Sequence, residues 1–244
     1  MRFDRSPRSD QSPGLITCKF EAILFDFDGV LIESEYAGNR QIAEWLTAAG
    51  HPTTPAESMA NFMGLAGADF IAAIERWIGR TLPGDFHTAR EAEDARAMAQ
   101  GIGAVAGAVA FVRSLPPELP KAIVSSSTTR WIARHLEHIG LRDAFGDHIY
   151  SGREHVERGK PAPDLYLYGA VQLGVPIERC AILEDSPVGA TGAVASGGHV
   201  IGLTAGSHCD AAHRDRLQAL GVAAVAESFD EVARLLELHP SPRT

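Results

Sequence analysis

From Ala108 to Leu203 two kinds of segment alternate, and this alternation constrains the fold more than any other feature of the chain. Apolar residues at helical spacing around Val109 to Leu115 precede the short run Ala122-Ile123-Val124, and a second helical pattern, Trp131 to His138, precedes His148-Ile149-Tyr150. A third, Leu165 to Leu173, precedes Ala181-Ile182-Leu183, and a fourth, Val188 to Ala195, precedes His199 to Leu203. Helices between consecutive strands make the strands parallel, which predicts a doubly wound α/β sheet. Further upstream, Ala22-Ile23-Leu24-Phe25 is an unbroken apolar run, as expected of a strand buried on both faces of such a sheet. Ligands bind outside the carboxyl ends of these strands, so chemistry is to be sought in the residues that follow each run.

The stretch between Leu31 and Ala108 breaks the alternation and reads as helical throughout. Ile42, Trp45, Leu46 and Ala49 fall at helical spacing before Gly50, as do Phe70, Ile71, Ile74 and Ile78 before Gly79. Pro52, Pro55, Gly64, Gly67, Pro83 and Gly84 divide the segment into about four helices, a size suited to a small bundle. The expected organisation is an α/β core of residues 20–34 and 107–238 with an inserted helical cap of residues 35–106. The linkers around Glu33-Ser34 and Gly101 to Gly107 would join them as a hinge. Residues 1–19, rich in Arg, Ser, Pro and Asp, read as a disordered leader.

A chain of 244 residues with a net charge of −9 and no Lys/Arg cluster offers no electrostatic basis for binding nucleic acid or an anionic membrane. Cys18, Cys180 and Cys209 lack metal-ligand spacing and suit a reduced setting, with Cys180 read as core filler. No apolar run approaches the roughly 18 residues of a membrane span. The expectation is a cytoplasmic protein acting as a monomer.

Each strand end carries polar chemistry. Asp26 and Asp28 follow Phe25, and residues two apart in extended backbone point the same way, so the two carboxylates project together from the sheet edge while Phe25 and Phe27 face the other side. Two like charges about 4 Å apart repel by about 4 kcal/mol at an effective dielectric of about 20, so a cation should sit between them. Oxygen-only ligands suit a hard divalent ion. Ser125-Ser126-Ser127-Thr128-Thr129 follows the next strand at a helix start, where Ser125 and the Ser126 amide could hold a phosphate, although such serines also serve as plain caps. In Gly159-Lys160-Pro161-Ala162-Pro163-Asp164 two prolines stiffen a loop that presents Lys160 ahead of a helix capped by Asp164. Glu184-Asp185-Ser186-Pro187 brings a second carboxylate pair to the same edge, with helix capping by Asp185 or Ser186 as its structural role.

Together, Asp26-Phe27-Asp28-Gly29-Val30, Ser125, Lys160 and Glu184-Asp185 resemble the four ordered motifs of the haloacid dehalogenase superfamily of phosphotransferases, and more narrowly its beta-phosphoglucomutase-like branch with a helical cap. The resemblance spans roughly Phe20 to Leu238. It implies Asp26 as the nucleophile that forms an aspartyl phosphate, and Asp28 as general acid and then base. Ser125 and Lys160 would bind the phosphoryl group. It further implies Mg2+ held by Asp26, the backbone carbonyl of Asp28 and Asp185, with Glu184 ligating directly or through water. The acid at Asp28 separates phosphatases from dehalogenases, whose leaving halide needs no proton.

The cap departs from the branch. A histidine common after the first motif is absent from Glu35-Tyr36-Ala37-Gly38-Asn39-Arg40, and a phosphate-binding arginine is absent from Gly64-Leu65-Ala66-Gly67-Ala68-Asp69. Both absences favour hydrolysis over mutase chemistry. Ser126, Asn39, Arg40 and Arg130 are candidate substrate contacts. The expected activity is Mg2+-dependent hydrolysis of a small phosphate monoester, such as a sugar phosphate. A phosphomutase and a non-catalytic phospho-ligand binding module are the alternatives.

Overall fold

The structure, a computed structural model, describes residues 16–63 and 67–240. The leader residues 1–15 and the cap-loop residues Gly64-Leu65-Ala66 lie outside the described residues. In chain order the elements begin with β1 (Ile16–Thr17) and β2 (Ala22–Phe25), followed by four helices: α1 (Ser34–Ala48), α2 (Pro55–Phe62), α3 (Gly67–Ile78) and α4 (Asp85–Gln100). Then come α5 (Ala108–Ser114), β3 (Lys121–Ser125), α6 (Thr129–His138), α7 (Arg142–Phe145), β4 (Ile149–Ser151), α8 (Asp164–Leu173), β5 (Cys180–Glu184) and α9 (Pro187–Ser196). The chain finishes with β6 (His199–Leu203), α10 (His213–Ala219), β7 (Ala224–Ala226), α11 (Phe229–Leu235) and β8 (His239–Pro240).

Six strands form one parallel sheet in the order β4-β3-β2-β5-β6-β7. The first strand of the sheet, β2, is central, and the winding reverses between β2 and β5, which is where such sheets open a crevice for a ligand. Alternation within β2 feeds two cores. Ile23 and Phe25 pack with Phe111, Ile123, Phe145 and Leu183 on one face, whereas Ala22 and Leu24 pack with Val124, Leu165, Tyr166 and Ile182 on the other. All four β2 side chains are fully buried, and each of the three larger ones contributes about 1.5–3 kcal/mol of transfer free energy. Cys180 is buried in the second core.

The inserted helices close on a core of their own, made of Ile42, Leu46, Phe62, Ile74, Ile78 and Phe86. Asn39 ties α1 to α2. Its side chain donates to Glu35 O at 2.9 Å and accepts from the buried Ser58 Oγ at 3.0 Å. The two linkers run side by side, with Glu33 N donating to Gly103 O at 3.0 Å, Val105 N to Leu31 O at 3.0 Å, and Ile32 paired with Ala104 in an antiparallel bridge.

Two readings of the termini change. Ile16–Thr17 falls within the leader expected to be disordered, yet it pairs antiparallel with His239–Pro240, and Lys19 N donates to Leu236 O at 3.0 Å. β7, α10 and α11 carry weak sequence signals, because Ala224-Val225-Ala226 is short and His213 to Ala219 is mostly polar. Only neighbouring elements give these segments a face to bury.

Candidate active site

Backbone hydrogen bonding carries β2 one residue past its last paired strand position, since Asp26 N donates to Leu183 O at 2.9 Å. The chain then turns sharply, with Leu31 N bonded to Phe27 O at 2.9 Å and Gly29 at φ 80°. A Cβ on Gly29 would lie 2.0 Å from Asp185 Oδ2. Gly29→Ala is therefore expected to lose about 1–2 kcal/mol from the left-handed backbone alone, and more from the clash, read as a lowered melting temperature in thermal denaturation.

Asp26 and Asp185 meet Glu184 at the switch point between β2 and β5, with ligand atoms within 4.8 Å of one another. Lys160, whose side chain is 4% exposed, reaches in from the loop before α8 and donates to Asp26 Oδ1 at 2.6 Å and Glu184 Oε1 at 2.5 Å. Burial alone would push the Lys160 ammonium down, but Asp26 and Glu184 beside it hold its pKa above the ordinary lysine value. Burial pushes the Asp26 carboxyl well above the usual range, against the pull of Lys160, and burial together with Glu184 does the same to Asp185. Three carboxylates thus face one ammonium, and Asp185 Oδ1 is buried without a hydrogen-bond partner. This surplus of buried negative charge and the bare oxygen fit a hard divalent cation.

Glu184 fits that cation least well. Its Oε1 also accepts from Tyr166 OH at 2.7 Å, and its Oε2 accepts from Ser186 N and Ser186 Oγ, both at 3.1 Å. With two donors on each oxygen, Glu184 anchors Lys160 and the start of α9, and direct ligation by this residue is not favoured. Ser186, rather than Asp185, caps α9 by accepting from Gly189 N, and Thr128 caps α6. Asp164 is the first residue of α8 rather than its cap, and its carboxylate is held by Arg158 at 3.0 and 2.9 Å.

The Asp28 side chain gathers donors from three directions. Oδ1 accepts from Ser34 Oγ at 2.7 Å and Trp131 Nε1 at 3.1 Å, and Oδ2 from Ser127 Oγ at 2.6 Å and Ser125 Oγ at 3.3 Å. Ser34 is the linker residue that opens α1, so Asp28 links the sheet edge to the hinge. Above these groups lies a cleft of about 500 Å³. Asp26, Asp28, Ser125, Ser126, Lys160 and Asp185 line its floor, and Gly38, Ile42, Phe62, Phe70 and Arg90 contribute from the cap.

The other proposed contacts separate. Ser126 is exposed in the cleft. Asn39 borders it, but both ends of its amide are engaged between α1 and α2. Arg40 is exposed and pairs with Glu44 at 3.2 Å beside a neighbouring groove. Arg130 lines two other grooves, with Ala133 in both, and not the cleft. Arg90 and Arg153 do line the cleft, and neither position was legible: Arg90 sits in a helix whose pattern is mostly polar, and Arg153 follows β4 without a motif. His208 and His213 were missed as well. His208 Nε2 lies 2.8 Å from Asp185 Oδ2, and His213 Nε2 lies 2.5 Å from Asp185 O.

The chain is similar to known proteins over most of its length. A family model described as haloacid dehalogenase-like hydrolase matches residues 20–197. Hexitol phosphatase A of Escherichia coli (strain K12) is 33% identical over 192 residues, covering 77% of this chain and 84% of the relative. The 6-phosphogluconate phosphatase of the same organism is 27% identical over 191 residues, covering 78% and 85%. Among solved structures, a HAD family hydrolase from Deinococcus radiodurans R1 with bound phosphate and sodium is 34% identical, with a TM-score of 0.80, covering 91% of this chain and 99% of that one.

Proposed function

Because the chain belongs to the haloacid dehalogenase-like hydrolases and is a phosphatase among them, we propose that it hydrolyses a sugar or polyol phosphate through an aspartyl phosphate on Asp26. The observation that carries this reading is the 2.6 Å contact of Asp26 Oδ1 with Lys160 Nζ at the floor of the cleft, with Asp28 two residues along. In the first step a carboxylate oxygen of Asp26 attacks phosphorus, the ester P–O bond breaks, and Asp28 gives its proton to the leaving alcohol oxygen. In the second, Asp28 takes a proton from a water molecule whose oxygen attacks phosphorus, releasing inorganic phosphate and restoring Asp26. Asp26, the backbone carbonyl of Asp28 and Asp185 would hold Mg2+, which when bound offsets the negative charge of the phosphoryl group. Lys160 adds a fixed positive charge, and the Ser125 hydroxyl and Ser126 amide orient the phosphoryl oxygens.

The two named relatives act, by their names, on hexitol phosphates and on 6-phosphogluconate, both open six-carbon chains ending in a phosphate. This supports a substrate whose hydroxyls, or a distal acid, reach up into the cap. Arg90, bonded to Gln41 Oε1 at 3.0 Å, is the cap cation placed to meet it. Arg90 also supplies the positive group that the cap sequence did not reveal, and so keeps the mutase reading open to test. Gly38 remains an open position, with nothing within 4 Å of a Cβ built there. The expected result with β-glucose 1-phosphate and Mg2+ is glucose and inorganic phosphate, with no requirement for β-glucose 1,6-bisphosphate. Bisphosphate-dependent glucose 6-phosphate outpacing phosphate release would establish a mutase instead. Parallel assays of sorbitol 6-phosphate and 6-phosphogluconate define the preferred chain, and Arg90→Met should raise KM for the preferred substrate with little change in kcat.

A further inference from the structure

A pair of imidazoles flanks Asp185 in a groove that adjoins the cleft and shares Glu35, Ser186 and Val188 with it. His208, on the loop after β6, is 4% exposed, and His213, the first residue of α10, is 1% exposed. His213 Nδ1 lies 2.9 Å from Arg216 NH2, and a guanidinium can only donate, so Nδ1 accepts and the ring proton sits on Nε2. That Nε2–H then donates to the Asp185 carbonyl at 2.5 Å. Arg216 is itself fixed by Asp210 at 2.9 Å. His208 Nε2 lies 2.8 Å from Asp185 Oδ2, a close polar contact between two buried side chains, and 3.4 Å from Cys209 Sγ. Two glycines make room for this ring. A Cβ on Gly206 would come within 2.6 Å of His208 Cε1, and one on Gly29 within 2.9 Å of the same atom.

Resting on the reading of Asp185 as a cation ligand, we infer that His208 and His213 are positioning residues that clamp Asp185, with His208 occupying Oδ2 so that Oδ1 alone is presented to the metal. The clamp orients Asp185, as outer partners of ligands do, and such partners typically change metal affinity about 10- to 100-fold. His208, Cys209 and His213 also lie close enough together to suggest a separate soft-metal site. The hydrogen bonding argues against it. His213 spends Nε2 on the Asp185 carbonyl and Nδ1 on Arg216, and burial, with Asp185 and Glu33 adding to it, pushes the Cys209 thiol up to about 12, far from thiolate.

The test is Mg2+ binding measured by calorimetry without substrate, together with the Mg2+ dependence of turnover, for wild type, His208→Leu, His208→Gln and Asp185→Asn. The expected result is a loss of Mg2+ affinity of about 10- to 100-fold in His208→Leu, substantial recovery in His208→Gln, which restores a donor, and near-wild-type substrate KM at saturating Mg2+. A folded His208→Leu that binds Mg2+ within twofold of wild type overturns the clamp, as does a His208→Gln no better than His208→Leu. Should His208→Leu not fold, His208→Asn, whose shorter amide draws back from Oδ2, takes its place with the same outcomes. Asp185→Asn separates the two readings: unchanged Mg2+ affinity there removes Asp185 as a ligand, whereas lost affinity there with an intact His208→Leu removes only the clamp.

Discussion

Asp26→Asn is expected to reduce phosphate release to background while the protein keeps its native circular dichroism. The substitution removes the attacking oxygen anion and a cation ligand at once, and a carboxamide replaces neither. Fold loss is not the cause to expect. Burial and the carboxylates of Glu184, Asp185 and Asp28 hold the Asp26 pKa well above its unfolded value, with only Lys160 opposing them. For a group raised in this way, ionisation weighs against the folded state as pH rises through the carboxylate range, so at neutral pH a neutral Asn relieves repulsion. In metal-free buffer the melting temperature of Asp26→Asn should equal or exceed that of wild type. Added Mg2+ should stabilise wild type more than the variant, because binding to the native state alone raises stability by mass action. Hydrolysis at a wild-type rate by purified Asp26→Asn would end the nucleophile assignment.

The second large effect is Asp28→Asn, with turnover lower by about 10²- to 10⁴-fold, the range expected of a lost general acid and base. The backbone carbonyl proposed for the cation is untouched. An asparagine can still accept from Ser34 and Trp131 at the position of Oδ1, while the amide nitrogen in place of Oδ2 cannot accept from Ser127 or Ser125. The deficit should shrink for p-nitrophenyl phosphate, whose leaving group needs little protonation, and be largest for alkyl phosphates. Equal deficits for both would show that Asp28 protonates no leaving group and that its work lies in the hinge contact with Ser34.

Much of the core was legible because its signals are local. Ala22 to Phe25 is apolar on both faces, and both faces are buried; Ser125 and Glu184 end strands, Lys160 and Asp185 follow them, and a parallel sheet gathers strand ends at one edge. The cap was legible as four helices from apolar spacing, since Ile42, Leu46, Ile74 and Ile78 are core residues of a bundle. Its functional face was not. Arg90 and Arg130 are equally plain arginines in sequence, and only the packing of α4 puts the first in the cleft, while the second lines a separate groove between α4 and α6.

The same distinction separates the Asp185 environment from the Asp185 motif. By itself the sequence determined the sheet, the order of the four motifs and the acids and cation that they bring to one edge, because strand period and strand-helix alternation are written into neighbouring residues. The tertiary structure alone decided which oxygens are already occupied. Glu184 is saturated by Lys160, Tyr166 and Ser186, while Asp185 keeps one oxygen bare and has the other 2.8 Å from His208 Nε2, on a loop 23 residues away. Hydrogen-bond saturation depends on contacts between residues distant in sequence, so it becomes definite only when the chain is folded.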